Sequence, residues 1–345
     1  MTPSLGVNAD GTTLPTAGDW SASVAFRYYN SRQDVLGDEP QDIPIVYANT
    51  HVYGFDLNVT YAVTDRLNLA LDIPFQYGTR STSVEHGRGP HDPANLHTMS
   101  AGGMGDPRLG ANYWLFDPKT YPNRNISIGL GIKIPIGVDD ATDYSYRPTG
   151  TVLRPVDPAI QPGDGGWGVL FSARAFSSLF FETIPFTSVL KNTTAYFDGT
   201  YLANPRETND TQSVDGDIFL QIGLPRIAYD SVPDQFLLRA GVSQVVWPSK
   251  GLSASLGLRW EGTPASDLFG GNDGWRLPGN GLSIDPSISV SYGRNYFSVA
   301  VPFTVHRHAS RAEPFAAYNF PPGGSAKGLA TIADYQIILS YTYQF

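Results

Sequence analysis

The chain has 345 residues, is 41% hydrophobic and 12% aromatic, and carries a formal charge of −9. It contains no cysteine, which excludes a disulfide framework, a zinc–thiolate site and a cysteine nucleophile. A pI near 5.0 argues against nucleic acid as a partner, because such proteins present a basic face. No stretch approaches the run of about 20 apolar residues that a membrane helix needs. That leaves a β-barrel open, since barrel strands are apolar only at alternate positions.

Met1, Thr2, Pro3 and Ser4 open the chain without a basic region or an apolar core. The sequence therefore reads as a mature chain, with residues 1–17 a periplasmic N-terminal segment and 18–345 one barrel. Trp20, Ala22, Val24, Phe26 and Tyr28 then alternate with polar residues such as Ser21, Ser23 and Arg27. Tyr53, Phe55, Leu57, Val59 and Tyr61 alternate with Asp56, Asn58 and Thr60, and after a tight turn at 64–66 Leu67 to Tyr77 repeats the pattern. Two such runs around a turn predict a hairpin.

Further alternating runs follow around Leu109–Leu115, Ile126–Ile136, Trp167–Arg174, Lys191–Ala203, Phe236–Ser243, Leu252–Glu261, Ser283–Tyr292 and Phe297–His306. The last is Tyr335–Phe345, with Tyr335, Ile337, Leu339, Tyr341, Tyr343 and Phe345 on one face. A terminal Phe preceded by aromatics at alternate positions resembles the closing strand of a bacterial outer-membrane barrel, and Tyr341, Tyr343 and Phe345 are the expected assembly signal.

Short links (64–66, 117–124, 180–190, 248–251, 293–295) alternate with long ones (31–51, 80–104, 138–166, 204–234, 262–281, 307–331). This predicts an all-β, transmembrane, antiparallel up-and-down β-barrel of about twelve strands, with short periplasmic turns, long extracellular loops and both termini in the periplasm. Ile218, Leu220, Ile222 and Leu224 also alternate; as a wall strand they would spoil the parity, so 216–226 is placed in the fourth extracellular loop as a strand projecting above the membrane. Outward aromatics sort into two levels, with Tyr28, Tyr53, Tyr77, Trp167, Trp260 and Tyr335 at the outer ends and Trp20, Tyr61, Tyr113, Tyr292, Tyr343 and Phe345 at the periplasmic ends. Such belts mark the two headgroup levels of a bilayer. Hydrocarbon penalises every free backbone polar group, so the first and last strands are expected to pair.

The segments YAVTDRLNLALDIPFQYG (Tyr61–Gly78), GMGDPRLGANYWLF (Gly103–Phe116) and ISIGLGIKIPIG (Ile126–Gly137) resemble a family of bacterial outer-membrane barrels named for the meta-pathway of phenol degradation, also described as outer-membrane transporters. The resemblance covers most of the chain. It implies a barrel in the bacterial outer membrane and transport of hydrophobic compounds; it implies no catalytic residue and no cofactor.

Expected lumen residues are Arg27, Arg108, Lys133, Arg174, Arg239 and Arg259, with Asp56, Asp72, Asp106, Asp198, Glu261, Asp285 and Asp334. So balanced a set reads either as a polar network that plugs the barrel or as a solvated pore with charge rings. Leu170, Phe176 and Tyr196 are expected to line a greasy inner wall. Pro74, Pro135 and Pro302 fall on the inward faces of outward-running strands, as wall-curving bulges or as weak points through which an apolar solute leaves sideways. His86, His91 and His97 cluster beside Asp92, yet their spacing matches no zinc signature, so no metal is expected.

Three function classes follow. The first is passive uptake of small hydrophobic or aromatic molecules. The second is a structural or surface-interaction barrel with a plugged lumen, whose acidic loops (Asp34, Asp38, Glu39, Asp139, Asp140, Asp143) bind a partner or cations near lipopolysaccharide. The third is an outer-membrane lipid hydrolase using His306 or His308; His306 is expected to face inward, away from lipid, which argues against it. Partners implied are outer-membrane lipids and lipopolysaccharide, the barrel-assembly machinery and a small solute.

Overall fold

Strict alternation acquires a geometric meaning once strands pair, because apolar positions then share one face and polar positions the other. The computed structural model describes residues 16–41, 48–83, 85, 95–319 and 327–345. The N-terminal segment lies outside these except for Thr16 and Ala17, as do His86, His91 and Asp92. Twelve antiparallel wall strands close into one barrel. They are β1 (Trp20–Ser31), β2 (Asn49–Ala62), β3 (Leu67–Thr82), β4 (His97–Met104 and Arg108–Trp114), β5 (Arg124–Lys133) and β6 (Gly168–Ser178). The second half has β7 (Thr193–Ala203), β8 (Gln235–Trp247), β9 (Leu252–Thr263), β10 (Gly279–Tyr292), β11 (Asn295–Ala300 and Phe303–Ala309) and β12 (Gln336–Gln344). Each strand pairs with its sequence neighbours, and β1 pairs with β12 from Ser21↔Gln344 to Tyr29↔Gln336. The sheet thus closes on itself.

Its outer face is apolar. Ile128, Leu130, Leu256 and Ile288 are each more than half exposed at mid-height, an arrangement suited to hydrocarbon and not to water. At the outer level Tyr28, Tyr53 and Tyr77 face one another across β1–β3, with ring centroids 5.1 and 6.3 Å apart. At the periplasmic level Trp20 packs on Tyr61 at 4.4 Å and Tyr343 meets Phe345 edge-on at 5.0 Å. The Phe345 amide donates to the Trp20 carbonyl, so the terminal residue completes the seam.

Two wall strands are broken, and prolines explain both breaks. Pro74 accepts from the Gly105 amide but has no N–H to return, and β4 breaks opposite it, where residues 105–107 oppose only Ile73 and Pro74. β11 breaks at Val301–Pro302, between Pro302 and Pro286 of β10, which accepts from the Val301 amide. Pro135, expected within a wall strand, lies past the end of β5. The Ile134 amide still bonds Pro107 in the β4 break, and the ladder then ends as the Ile136 amide turns back to Ile134.

Three further expectations change. The second long connection is shorter than 80–104, because β3 runs on to Thr82 and pairs with His97. Residues 216–226 do lie in loop 4, but as helix α1 (Gly216–Gln221), not as a strand. Gly223, at φ +80, and Pro225 cannot extend a ladder, and Phe219 is buried against Ile227, Ala228 and Phe315. His306 faces outward. Ser283 pairs with Thr304 and Leu282 with His306, so Val305 is an extra bulge residue and the facing of everything after it reverses.

Because the lumen is polar, the apolar cores sit toward the extracellular end, one between the inner wall and loop 3 and the others among the loops that cap the barrel. Val52, Met99, Ala101, Val156, Ile160 and Val214 form one; Phe219, Ile227, Ala228, Ala312 and Phe315, packed with Trp275, form a second. Loops 1 and 6 share a small sheet in which Gln33–Leu36 pairs with Leu329–Ile332.

Candidate functional site in the barrel lumen

Strand register sets the charges of the interior in rows. Arg174, Asp198 and Arg239 stand directly opposite one another on β6, β7 and β8, and Arg174 bonds Asp198 at 3.2 Å. Arg239 faces Arg259 across β8–β9, a repulsive pairing relieved by turning each guanidinium to a separate acid. Arg239 binds Asp285 at 2.9 Å and Arg259 binds Glu261 at 2.8 Å. The same solution appears on the other wall. Arg108 faces Lys133 across β4–β5; Arg108 takes Asp72 at 3.2 Å, and Lys133 takes Asp164, from loop 3.

Asp164 belongs to the stretch 156–166, which folds back into the lumen instead of projecting outward. The Gln76 side-chain amide donates to the Gln161 carbonyl at 3.0 Å, and the Asp164 amide donates to Asp106 at 2.9 Å. Asp157 lies 3.6 Å from Arg80, which also holds Glu85 at 2.5 Å. Glycine makes room for this: a Cβ on Gly78 would sit 2.7 Å from the Cβ of Ile160. The segment therefore packs on the inner face of β3 and β4 and narrows the barrel.

Among the described residues, two chambers lie beside it. One, of about 200 Å³, is lined by Tyr29, Pro74, Arg108, Pro158, Pro162 and Asp164 among others. The second, of about 180 Å³, lies against Arg27, Glu261, Asn280 and Gln336. Both share Tyr29, Ser31, Gln235 and Thr331, which makes these four the lip between them. Among the described residues, Ser31 Oγ and Gln235 Oε1 are buried there without a protein partner, and so are acceptors that a passing solute or water meets.

The expected lumen residues are thus dispersed along the wall. Arg27 lines the second chamber, 5.8 Å from the Tyr29 ring centroid. Asp56 faces Ala25 and Pro74. Asp334 bonds Arg307, which the β11 bulge turns inward, at 2.6 Å near the outer rim. Phe176 and Tyr196 stand opposite each other, and Trp114 packs edge-on against Phe176 at 5.8 Å, forming a greasy corner on the periplasmic side; Leu170 is buried higher on β6. The sequence reading missed the Trp114, Tyr29, Ser31, Gln235 and Asp164 contributions. The run Pro162-Gly163-Asp164-Gly165-Gly166 was the available signal, because its glycines permit close approach to the wall.

At the extracellular rim Asp38 accepts from His308 at 2.6 Å and lies 3.7 Å from His306. The His308 hydrogen bond holds the Asp38 carboxyl below its ordinary range. Glu39 pairs with Lys327 at 2.9 Å and Asp34 is buried, so these loop-1 acids serve the cap itself. With His306 outward, the facing argument against a lipid hydrolase falls. Among the described residues, however, neither imidazole bonds a serine, so a nucleophile–base pair is not assembled. No group of three or more candidate metal ligands occurs among the described residues.

The chain is similar in structure to the COG4313 outer membrane channel from Pseudomonas putida F1, with a TM-score of 0.58 and 14% identity over 98% of this chain and 99% of that one. It is also similar to the β-domain of the Bordetella autotransporter BrkA (TM-score 0.46, 11% identity, 96% and 100% covered). A third similar structure is the Ralstonia pickettii toluene transporter TbuX (TM-score 0.41, 9% identity, 98% and 92% covered). No protein-family model matches the chain, and no curated protein matches it. The likeness to the Pseudomonas putida channel shows the fold: a closed twelve-stranded barrel of the outer-membrane type.

Proposed function

We propose that this chain is a passive channel of the bacterial outer membrane that admits small, hydrophobic or aromatic molecules one at a time. The observation that carries this reading is the pair of adjoining chambers, each the size of a single small molecule, inside a barrel that loop 3 narrows. Tyr29 and the proline rings of Pro74, Pro158 and Pro162 offer flat apolar faces there, while ion pairs neutralise the surrounding charge. Folding and insertion would rely on the barrel-assembly machinery, with Tyr341, Tyr343 and Phe345 as its signal, in a membrane carrying lipopolysaccharide.

The plugged, structural barrel is the second reading, and the buried ion-pair ladder favours it equally. Single-channel recording in a planar bilayer separates the two. The channel reading expects small, stable ohmic steps. Silence from verified, inserted protein assigns the chain to the structural class.

A further inference from the structure

An apolar cavity also opens on the outside of the wall. It has a volume of about 540 Å³ and is bordered by Phe116, Tyr121, Arg124, Ile126, Ala175 and Phe197, with Ala195 and Ser177 also on its surface. Register places these residues on the lipid side; Asn125, Phe176 and Tyr196 also border the cavity, from strand positions whose side chains turn inward. Ile126, Ala175 and Phe197 form one outward row across β5, β6 and β7, and Arg124, Ser177 and Ala195 form the row below. Ile126 and Phe197 project from the wall, whereas Ala175 and Ala195 let it recede. Phe116 and Tyr121, 5.4 Å apart at the β4–β5 turn, close the periplasmic side.

We infer that this groove holds a phospholipid of the periplasmic leaflet, one acyl chain lying over Ala175 and Ala195 and its phosphate on Arg124. Polarity decides the occupant and its direction. The groove interior is apolar and lies within the hydrocarbon, where an unfilled concavity forfeits its dispersion contacts. Its one cation stands at the mouth, at the headgroup level that Tyr121 marks. Arg124 lies 5.9 Å from the Tyr121 ring and, among the described residues, forms no ion pair, so its charge is directed to the interface and complements a phosphate diester. A neutral solute leaving the barrel would have no use for that cation.

The test is native mass spectrometry of the folded barrel extracted in mild detergent and doped with phosphatidylglycerol or phosphatidylcholine. Variants are Ala175→Phe and Ala195→Leu, which fill the groove, Arg124→Gln, and Ala22→Phe as a bulky outward change elsewhere on the wall. Wild type and Ala22→Phe should each retain one phospholipid. The filling variants should lose it by about tenfold or more, and Arg124→Gln should retain both lipids less than wild type does. Equal retention by wild type and the filling variants overturns the inference. So does a dimer that the filling variants abolish, since the groove would then belong to a second copy.

Discussion

Lys133 on β5 and Asp164 in loop 3 form an ion pair inside the barrel, with the lysine almost wholly buried. This contact ties a membrane-spanning strand to a loop that would otherwise stand above the membrane. The narrowness of the lumen therefore depends on a charge pair as well as on strand number.

Breaking such a pair leaves a charge buried without its partner, which costs about 3–5 kcal/mol. Asp164→Asn should release loop 3 from the wall. Hydrogen exchange across residues 156–166 should accelerate while the barrel strands keep their protection. The double change Lys133→Met with Asp164→Leu should restore slow exchange, because it removes both charges.

The cap should respond to pH through Glu85. Burial is the largest effect and pushes its carboxyl up to about 7 from an ordinary 4.5; Arg80 opposes this shift and Asp157 adds to it. The folded state thus holds this proton more tightly than the unfolded chain. Its contribution is full below about 4.5 and is lost as pH rises through about 7. Exchange of loop 3 should accelerate between those limits in the wild type and show a flatter profile in Glu85→Gln.

Tyr196 lies over two glycines on the inner wall, and a Cβ at Gly257 would sit 2.5 Å from its hydroxyl and 2.7 Å from the Ala240 carbonyl. Gly257→Val should destabilise the barrel by about 1–3 kcal/mol. A lower temperature for loss of the compact, fast-migrating electrophoretic form would register it.

Loop 3 also covers the break in β4 from inside, since a Cβ at Gly105 would lie 2.6 Å from the Pro162 carbonyl. Pro74→Val should therefore leave uptake of an apolar solute within about twofold of wild type. A larger loss, with folding intact, would make the break a sideways exit.

The barrel was legible in the sequence because its wall meets two solvents, and every second residue reports which one. Closure between Trp20 and Phe345, the strand count and the outward belts all follow from that alternation. The reading fails where one face no longer has one solvent. His306 is misassigned because a single bulge residue, Val305, reverses the phase without altering composition. The helix over Gly216–Gln221 is masked by neighbours that alternate by spacing alone, while the residue that buries it, Phe219, lies off the pattern. Cap contacts such as Val35 with Ala309 and Ala330 join distant loops and leave no local periodicity. Asp164 is harder to read: the glycines around it permit a close approach to the wall, but no alternation says that the loop turns inward or that Lys133 is its partner.

Under the proposed function, small apolar solutes cross through the lumen, past the lip formed by Tyr29, Ser31, Gln235 and Thr331. The direct measurement is the initial rate of uptake of a radiolabelled monoaromatic hydrocarbon by cells with an intact lipopolysaccharide leaflet. Cells would carry the wild-type chain, Ser31→Trp or no barrel. The wild type should raise the rate and Ser31→Trp, folded and inserted to the same level, should return it to background. Equal rates for wild type and Ser31→Trp would contradict passage through these chambers.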